Sequence, residues 1–210
     1  MKEESAVIVI GSGGHAKVVV ATLLSAGMEV RHVFDDREMR WGEAILGVPI
    51  IGPISSVGEH ENVRGIIGIG SNTVRKKLQE ELNLSWASVI HPRAFVDPSV
   101  KMGVGSVIFA GAIVQPGVTI GNHVVVNTGA SVDHDCILED YAQVAPGVHV
   151  GGAVHVGEGA FLGIGSSIVQ CLHIGKWSTV GAGSAVIRDV PDYATVVGVP
   201  GKVIKEKPCD

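Results

Sequence analysis

At 210 residues with 46% hydrophobic content, the chain can bury one large core or two smaller ones, which excludes a disordered polymer. Aromatic residues are scarce, at 4%, against 29 glycines, so the core must be built from small and aliphatic side chains joined by many tight corners. A formal charge of -5, relieved only by the short basic cluster "RKK" at Arg75 to Lys77, leaves no electrostatic footprint for nucleic acid.

The opening "MKEES" is acidic and runs straight into a strand-like segment, without the charged, apolar and small-residue order of a signal peptide. Apolar runs such as "VVVATLL" are too short to span a bilayer, so the expectation is a cytoplasmic protein without membrane insertion. "AVIVIGSGGHAKVVVATLLSAG" reads as a buried strand, a glycine turn and a helix ending at Gly27. "EVRHVFDD" reads as a second strand ending in Asp35 and Asp36, and "VRGIIGIGSNTVRKKLQEEL" as a third strand, a turn through Gly70 and a charged helix. Residues 37–62, with "GVPIIGPISS", read as a connecting loop. Residues 1–85 are therefore expected to form a small Rossmann-like parallel α/β domain.

In "GSGGHA" the backbone N–H groups around Gly13, Gly14 and His15 and the dipole of the following helix offer an anion site. Asp35 and Asp36 end the next strand, near where dinucleotide-binding folds place a ribose-binding acid. A unit of about three strands lacks the second half that would hold a nicotinamide, so one nucleotide fits better than two. The same turn also serves, with nothing bound, to pack helix on strand.

From Ile90 onward the rhythm changes. Every sixth residue, Ile90, Val96, Met102, Ile108 and so on to Val186, is apolar without a break, and four places later comes mostly a small residue such as Ala94, Ala112, Ala130, Cys136, Ala142 or Ala160. Glycine often follows the apolar position directly, at Gly103, Gly121, Gly151, Gly157, Gly163, Gly175 and Gly181, where it is expected to permit the turns. Three such hexads per turn make a parallel β-helix in which residues 18 apart stack about 4.8 Å above one another. Residues 86–210 are expected to form this second domain, with a tail after Val190 that breaks the hexads.

In "ASVDHDC" His134 stands between Asp133 and Asp135, two places after the inward Val132, so it should project away from the prism. Its neighbours at 18-residue intervals are Pro116, Gly152 and Gln170, and Gly152 should leave open space beside the imidazole for a ligand. A histidine with a pKa of about 6.5 is a competent general base, and a neighbouring carboxylate would fix its tautomer. In an extended strand Asp135 would point to the opposite side, so it helps only if the backbone turns there; Asp133 is the substitute. On a lone prism the residue is an ordinary solvated histidine, and catalysis needs a partner surface to enclose it. Asn127, Ala145, Gly163 and Gly181 form a second column of small residues along which a long thin ligand could lie, although repeat glycines need no ligand to explain them.

His149, His155 and His173 raise the question of a metal. The zinc-binding gamma-class carbonic anhydrases use a histidine pair five residues apart, and no two of the nine histidines here have that spacing, so no metal is expected. Cys136, Cys171 and Cys209, odd in number and far apart, read as reduced thiols.

Taken together, "IVIGSGGHA", "FDD", "GIGSNTVRKK", "HPRAFVDPSV", "NTGASVDHDC", "GAFLGIGSSI" and "VGVPGKV" resemble, in order and over nearly the whole chain, the sugar O-/N-acyltransferase family of hexapeptide-repeat acetyltransferases. The resemblance implies a left-handed β-helix and a homotrimer whose clefts between adjacent rods bring a nucleotide sugar together with acetyl-CoA. It implies catalysis by His134 with Asp135, which stands where the bacillosamine-pathway enzyme carries glutamate. Sugar-nucleotide contacts fall on Gly13, Gly14, His15, Asp35, Asp36 and Gly70. Coenzyme contacts fall on Gly163, Ile164, Gly181 and Ala182, and on Gln143, which replaces a histidine; Gly152 is the expected oxyanion donor. The implied reaction is acetyl transfer to the 4-amino group of a nucleotide-linked amino-dideoxy sugar, UDP ahead of GDP. Alternatives are O-acetylation of sialic acid or another sugar and, more distantly, a non-catalytic nucleotide-sugar scaffold.

Overall fold

The computed structural model describes residues 6–59 and 62–205, so the opening "MKEES" and Cys209 lie outside the described residues. It divides into two units, Met1–Pro92 and Arg93–Asp210. Among the described residues, no helix is long and apolar enough to cross a membrane.

In the first unit, strand β1 (Ala6–Ile10) is buried along its whole length, as a central parallel strand covered on both faces must be. It lies between β2 (Val30–Phe34), with Ile8 opposite His32, and β5 (Val63–Ile67), with Ile8 opposite Gly65. Helix α1 (Gly14–Ser25) buries Ala16, Val19, Val20 and Leu23, an i, i+3, i+4, i+7 stripe. Its end is marked by Gly27 at φ 74°, with the Met28 N–H donating back to Leu23 O at 3.0 Å. Helix α2 (Asn72–Glu81) is capped by Ser71, whose Oγ accepts the Val74 N–H at 3.4 Å.

Residues 37–62 are not a plain loop. They contain a short hairpin of β3 (Ala44–Ile45) and β4 (Val48–Gly52), and β4 extends the parallel sheet beside β2, giving the order β3-β4-β2-β1-β5. In β4, Val48, Ile50 and Gly52 are buried while Pro49 and Ile51 are exposed, the alternation of a half-covered strand near a sheet edge. The sheet therefore has four parallel strands and a hairpin, one parallel strand more than the sequence pattern indicated.

The second unit is a triangular parallel β-helix. Sixteen two-residue strands, from Phe95–Val96 to Ala185–Val186, recur every six residues, and those up to Ser167–Ile168 pair in parallel with the strand 18 residues on. They form three faces: one through Ile113, Ser131 and His149, a second through Thr119, Ile137 and His155, and a third through Val125, Gln143 and Phe161. From Ile108 to Val186 the inward residue of each strand is buried, and Ala112, Ala130, Cys136, Ala142 and Ala160 fill the corners without exposure.

The corners correct the expected role of the glycines. Left-handed φ falls two residues later than expected, at Gly105, Gly111, Gly117, His123, Gly129, Asp135, Tyr141 and onward every sixth residue to Gly183. The glycines directly after the inward positions are needed for another reason: a Cβ on Gly163 would lie 2.5 Å from Val180 O and 2.8 Å from Ala182 N of the next coil. The tail also keeps the helix going. Val190 bridges to Ile174 and Val196 pairs with Val180, an offset of 16, so the last coil is two residues short instead of absent. Lys202–Lys205 then turns back antiparallel against Thr195–Val197.

Candidate active site

In the first unit the C-terminal ends of β1 and β2 and the start of α1 surround a cavity of roughly 420 Å³, which brings together Gly13, Gly14, His15, Asp35, Asp36 and Gly70. Gly11, at φ 96°, turns the chain here, and a Cβ on it would meet Ile69 Cγ1 at 2.6 Å. Among the described residues no side chain caps α1 and its first turn holds no acid, so the helix start itself opens onto the cavity. Burial, and secondarily the charge of Arg75, push His15 down to about 4, so its imidazole is neutral at physiological pH. Arg75 is itself buried behind the turn, its Nη1 donating to Gly70 O at 3.1 Å, and burial lowers it to about 10, still charged.

Asp35 is the most heavily bonded group in this pocket. Hydrogen bonds from the Arg37 side chain, and then from the Arg37 backbone and Ser12, hold its carboxyl well below the usual carboxylate range in spite of its burial. Asp36 accepts the Ile54 N–H at 2.9 Å through Oδ1. The sequence reading passed over Ser12, Arg37 and Arg75; the signal for the second was its place directly after "FDD".

In the second unit, His134 and Asp135 occupy the edge between the first and second faces. Asp135 sits at φ 59°, and this left-handed corner cancels the strand alternation, so both side chains turn to the same place. His134 Nδ1 lies 2.8 Å from Asp135 Oδ2, while Asp133 Oδ1 accepts the His134 backbone N–H at 2.8 Å. Asp135 thus orients the ring and Asp133 holds the backbone. The hydrogen bond to Asp135, helped by the charge of Asp133, raises His134 above its ordinary value although both partners are exposed.

Two glycines make room for this pair. A Cβ on Gly117, one coil before, would lie 2.5 Å from Asp135 Oδ1, and a Cβ on Gly152, one coil after, would lie 2.5 Å from His134 Nε2. The expected open space over Gly152 is therefore filled by the imidazole itself, and a ligand must approach Nε2 from the solvent side. Ala153 N–H donates to His134 O and Cys171 N–H to Gly152 O, which lock the coils in register, while the Gly152 N–H has no acceptor among the described residues.

The predicted coenzyme contacts lie elsewhere on the prism. Gly163, Ile164, Gly181 and Ala182 follow strands of the third face and so occupy the edge between the third and first faces; Gln143 lies on the third face itself, buried and paired with Val125 and Phe161. One chain does not bring this column to His134. Ile164 is exposed, and the N–H groups of Gly163 and Gly181 are spent on Val180 O and Val196 O. Among the remaining histidines, His155 Nε2 lies 2.7 Å from Glu139 Oε1 and stacks edge-on to His173.

A hexapeptide-repeat β-helix with an exposed imidazole–carboxylate pair, in a chain that also carries a Rossmann-like unit, defines a class of acyltransferase. Residues 6–82 match the PglD N-terminal domain family. A histidine-to-alanine mutant of GDP-perosamine N-acetyltransferase from Caulobacter crescentus, solved with CoA and GDP-perosamine, is 38% identical with a TM-score of 0.91, covering 96% of this chain and 97% of that one. The acetyltransferase domain of PglB from Neisseria gonorrhoeae FA1090, solved with acetyl coenzyme A, is 35% identical with a TM-score of 0.91, covering 96% and 100%. UDP-N-acetylbacillosamine N-acetyltransferase of Bacillus subtilis (strain 168) is 41% identical over 110 residues, 47% of this chain and 49% of that protein. A mimivirus protein is matched over 20% of its length, so the chain spans half or less of these curated relatives. The chain belongs to the sugar O-/N-acyltransferase family of hexapeptide-repeat acetyltransferases, and its β-helix is left-handed.

Proposed function

We propose that the chain transfers the acetyl group of acetyl-CoA to the 4-amino group of a nucleoside-diphosphate-linked amino-dideoxy sugar. Residues 1–85 hold the nucleotide at Gly13, Gly14, His15, Asp36 and Gly70, and residues 86–210 carry the transfer. The observation that carries this reading is the 2.8 Å contact of His134 Nδ1 with Asp135, which leaves Nε2 as the ring's free, basic nitrogen. Nε2 takes a proton from the sugar amine as the nitrogen attacks the thioester carbonyl, and returns it to the departing thiolate. The unpaired Gly152 N–H beside the ring stabilises the oxyanion of the tetrahedral intermediate.

The separation of His134 from the column Gly163, Ile164, Gly181 and Ala182 supports assembly as a homotrimer: rods set side by side place one chain's imidazole edge against another chain's coenzyme edge. Relatives solved with CoA and GDP-perosamine, or named for a UDP-sugar, support the substrate class and leave both nucleotides in the panel. The test is thiol release from acetyl-CoA against UDP- and GDP-linked 4-amino sugars and matched hydroxyl acceptors. His134→Ala should lower turnover by roughly 10² to 10⁴ with the oligomer intact. Wild-type turnover in that variant removes His134 from the role of base.

A further inference from the structure

In the nucleotide pocket, the carboxylates of Asp35 and Asp36 and the guanidinium of Arg37 stand side by side, and their hydrogen bonds separate their roles. Asp35 Oδ2 accepts the Ser12 N–H at 2.7 Å, the Ser12 Oγ–H at 2.7 Å and Arg37 Nη2 at 2.9 Å. Its Oδ1 accepts the Arg37 N–H at 2.9 Å and Nε at 2.8 Å. A carboxylate offers about four lone-pair sites, and five donors already converge on this one. Asp35 has no acceptor capacity left for the N–H edge of a base or a ribose hydroxyl. Asp36, with Oδ1 on Ile54, keeps Oδ2.

Arg37 is the reverse case. Of its side-chain donors, Nε and Nη2 are spent on Asp35 and Ser12, the latter at 3.0 Å, and the two Nη1 hydrogens remain on a side chain 53% exposed at the pocket. We propose that Arg37 binds the diphosphate of the nucleotide sugar, and that Asp35 acts on that ligand only through Arg37, as its positioning residue. This rests on the nucleotide reading of the first unit given above. Ser12, which Nη2 touches, directly precedes the N-cap Gly13, so an anion lying over the uncapped start of α1 comes within reach of Nη1. Arg75 adds a second positive charge behind the turn. A guanidinium already clamped in its fork geometry loses little freedom on binding phosphate, and the clamp is braced: Trp41 Nε1 donates to Asp35 O at 2.7 Å and the Asp35 N–H to Gly52 O at 3.0 Å.

The experiment titrates the full chain with GDP, UDP and inorganic pyrophosphate, using wild type, Arg37→Ala, Arg37→Lys and Asp35→Asn. Arg37→Ala should weaken GDP and UDP alike by roughly 10- to 100-fold, and pyrophosphate in parallel. Arg37→Lys should recover part of the loss. Steady-state kinetics should show a raised KM for the sugar nucleotide, with kcat at saturation and the KM for acetyl-CoA unchanged, a split that general destabilisation would not produce. Asp35→Asn should move the same constants in the same direction; if it fails to fold, the two Arg37 variants decide alone. Wild-type affinities in Arg37→Ala, or a loss confined to one of the two nucleotides, would overturn the diphosphate assignment while leaving the nucleotide site standing. A wild-type protein that binds acetyl-CoA but neither nucleotide would overturn both.

Discussion

Gly152→Ala tests how the imidazole is seated. The new Cβ would lie 2.5 Å from His134 Nε2, 2.7 Å from Cε1 and 3.1 Å from Cδ2. Ordinary contact requires about 3.5 Å, so something must move by about 1 Å. The backbone is held on both sides, with Ala153 N–H on His134 O at 2.8 Å and Cys171 N–H on Gly152 O at 2.9 Å, and Gly152 is not among the left-handed positions. The ring therefore moves, and a swing of that size breaks the 2.8 Å bond to Asp135. Misplacing a reacting group by about 1 Å costs roughly 10²-fold in rate, so kcat should fall by about that factor while the thermal midpoint stays near wild type. With the carboxylate contact gone, the imidazole pKa should fall back toward its ordinary value. Thiol release followed across pH, together with an NMR titration of His134, measures both effects. Wild-type kcat with an unshifted inflection would show that the ring does not sit on Gly152.

Because the base works unprotonated and Asp135 raises the pKa of His134, kcat/KM should climb with pH through an inflection above about 6.5; Asp135→Asn, which suits a left-handed corner, should move that limb to lower pH and reduce kcat. An inflection that stays in place would assign it to another group. Gly163→Ala drives a methyl onto backbone atoms that cannot yield, so it should cost about 1–3 kcal/mol in denaturant unfolding whether or not a ligand is bound. Ser166 and Ser178 have buried hydroxyls without partners among the described residues, at corners where Ala130 and Ala160 stand in other coils; Ser166→Ala and Ser178→Ala should each be neutral or stabilising by up to about 1 kcal/mol in the same assay.

The β-helix was legible because its period is a direct property of the chain: a residue's burial depends only on its place in the hexad. The His134–Asp135 contact was less so, since adjacent residues meet only where the corner inverts φ, and the strand rule points the other way. A second six-residue series carried the missing information: Gly105, Gly111, Gly117, Gly129, Gly147, Gly159, Gly165 and Gly183 mark the left-handed corners, and Asp135 falls on that series. Strand β4 was hidden by Pro49 and the "GP" at Gly52 and Pro53, turn signals that a strand near an edge tolerates. The bonding of Asp35 to Ser12, 23 residues away, could not be read, because it depends on β1 and β2 lying side by side with their ends level; the contact with Arg37, two residues on, depends on how the chain turns after β2.

The shortened final coil and the strand that folds back on it bear on self-association. A stack of parallel coils ends in a row of unsatisfied amides and carbonyls, an open invitation for another molecule to add on and for the rod to grow into a fibre. On the third face, Lys202–Lys205 occupies that row in the opposite chain direction and lines its outer margin with exposed lysines. On that face the reversed strand and its lysine charge work against coil-on-coil addition and so against growth of the rod into a fibre.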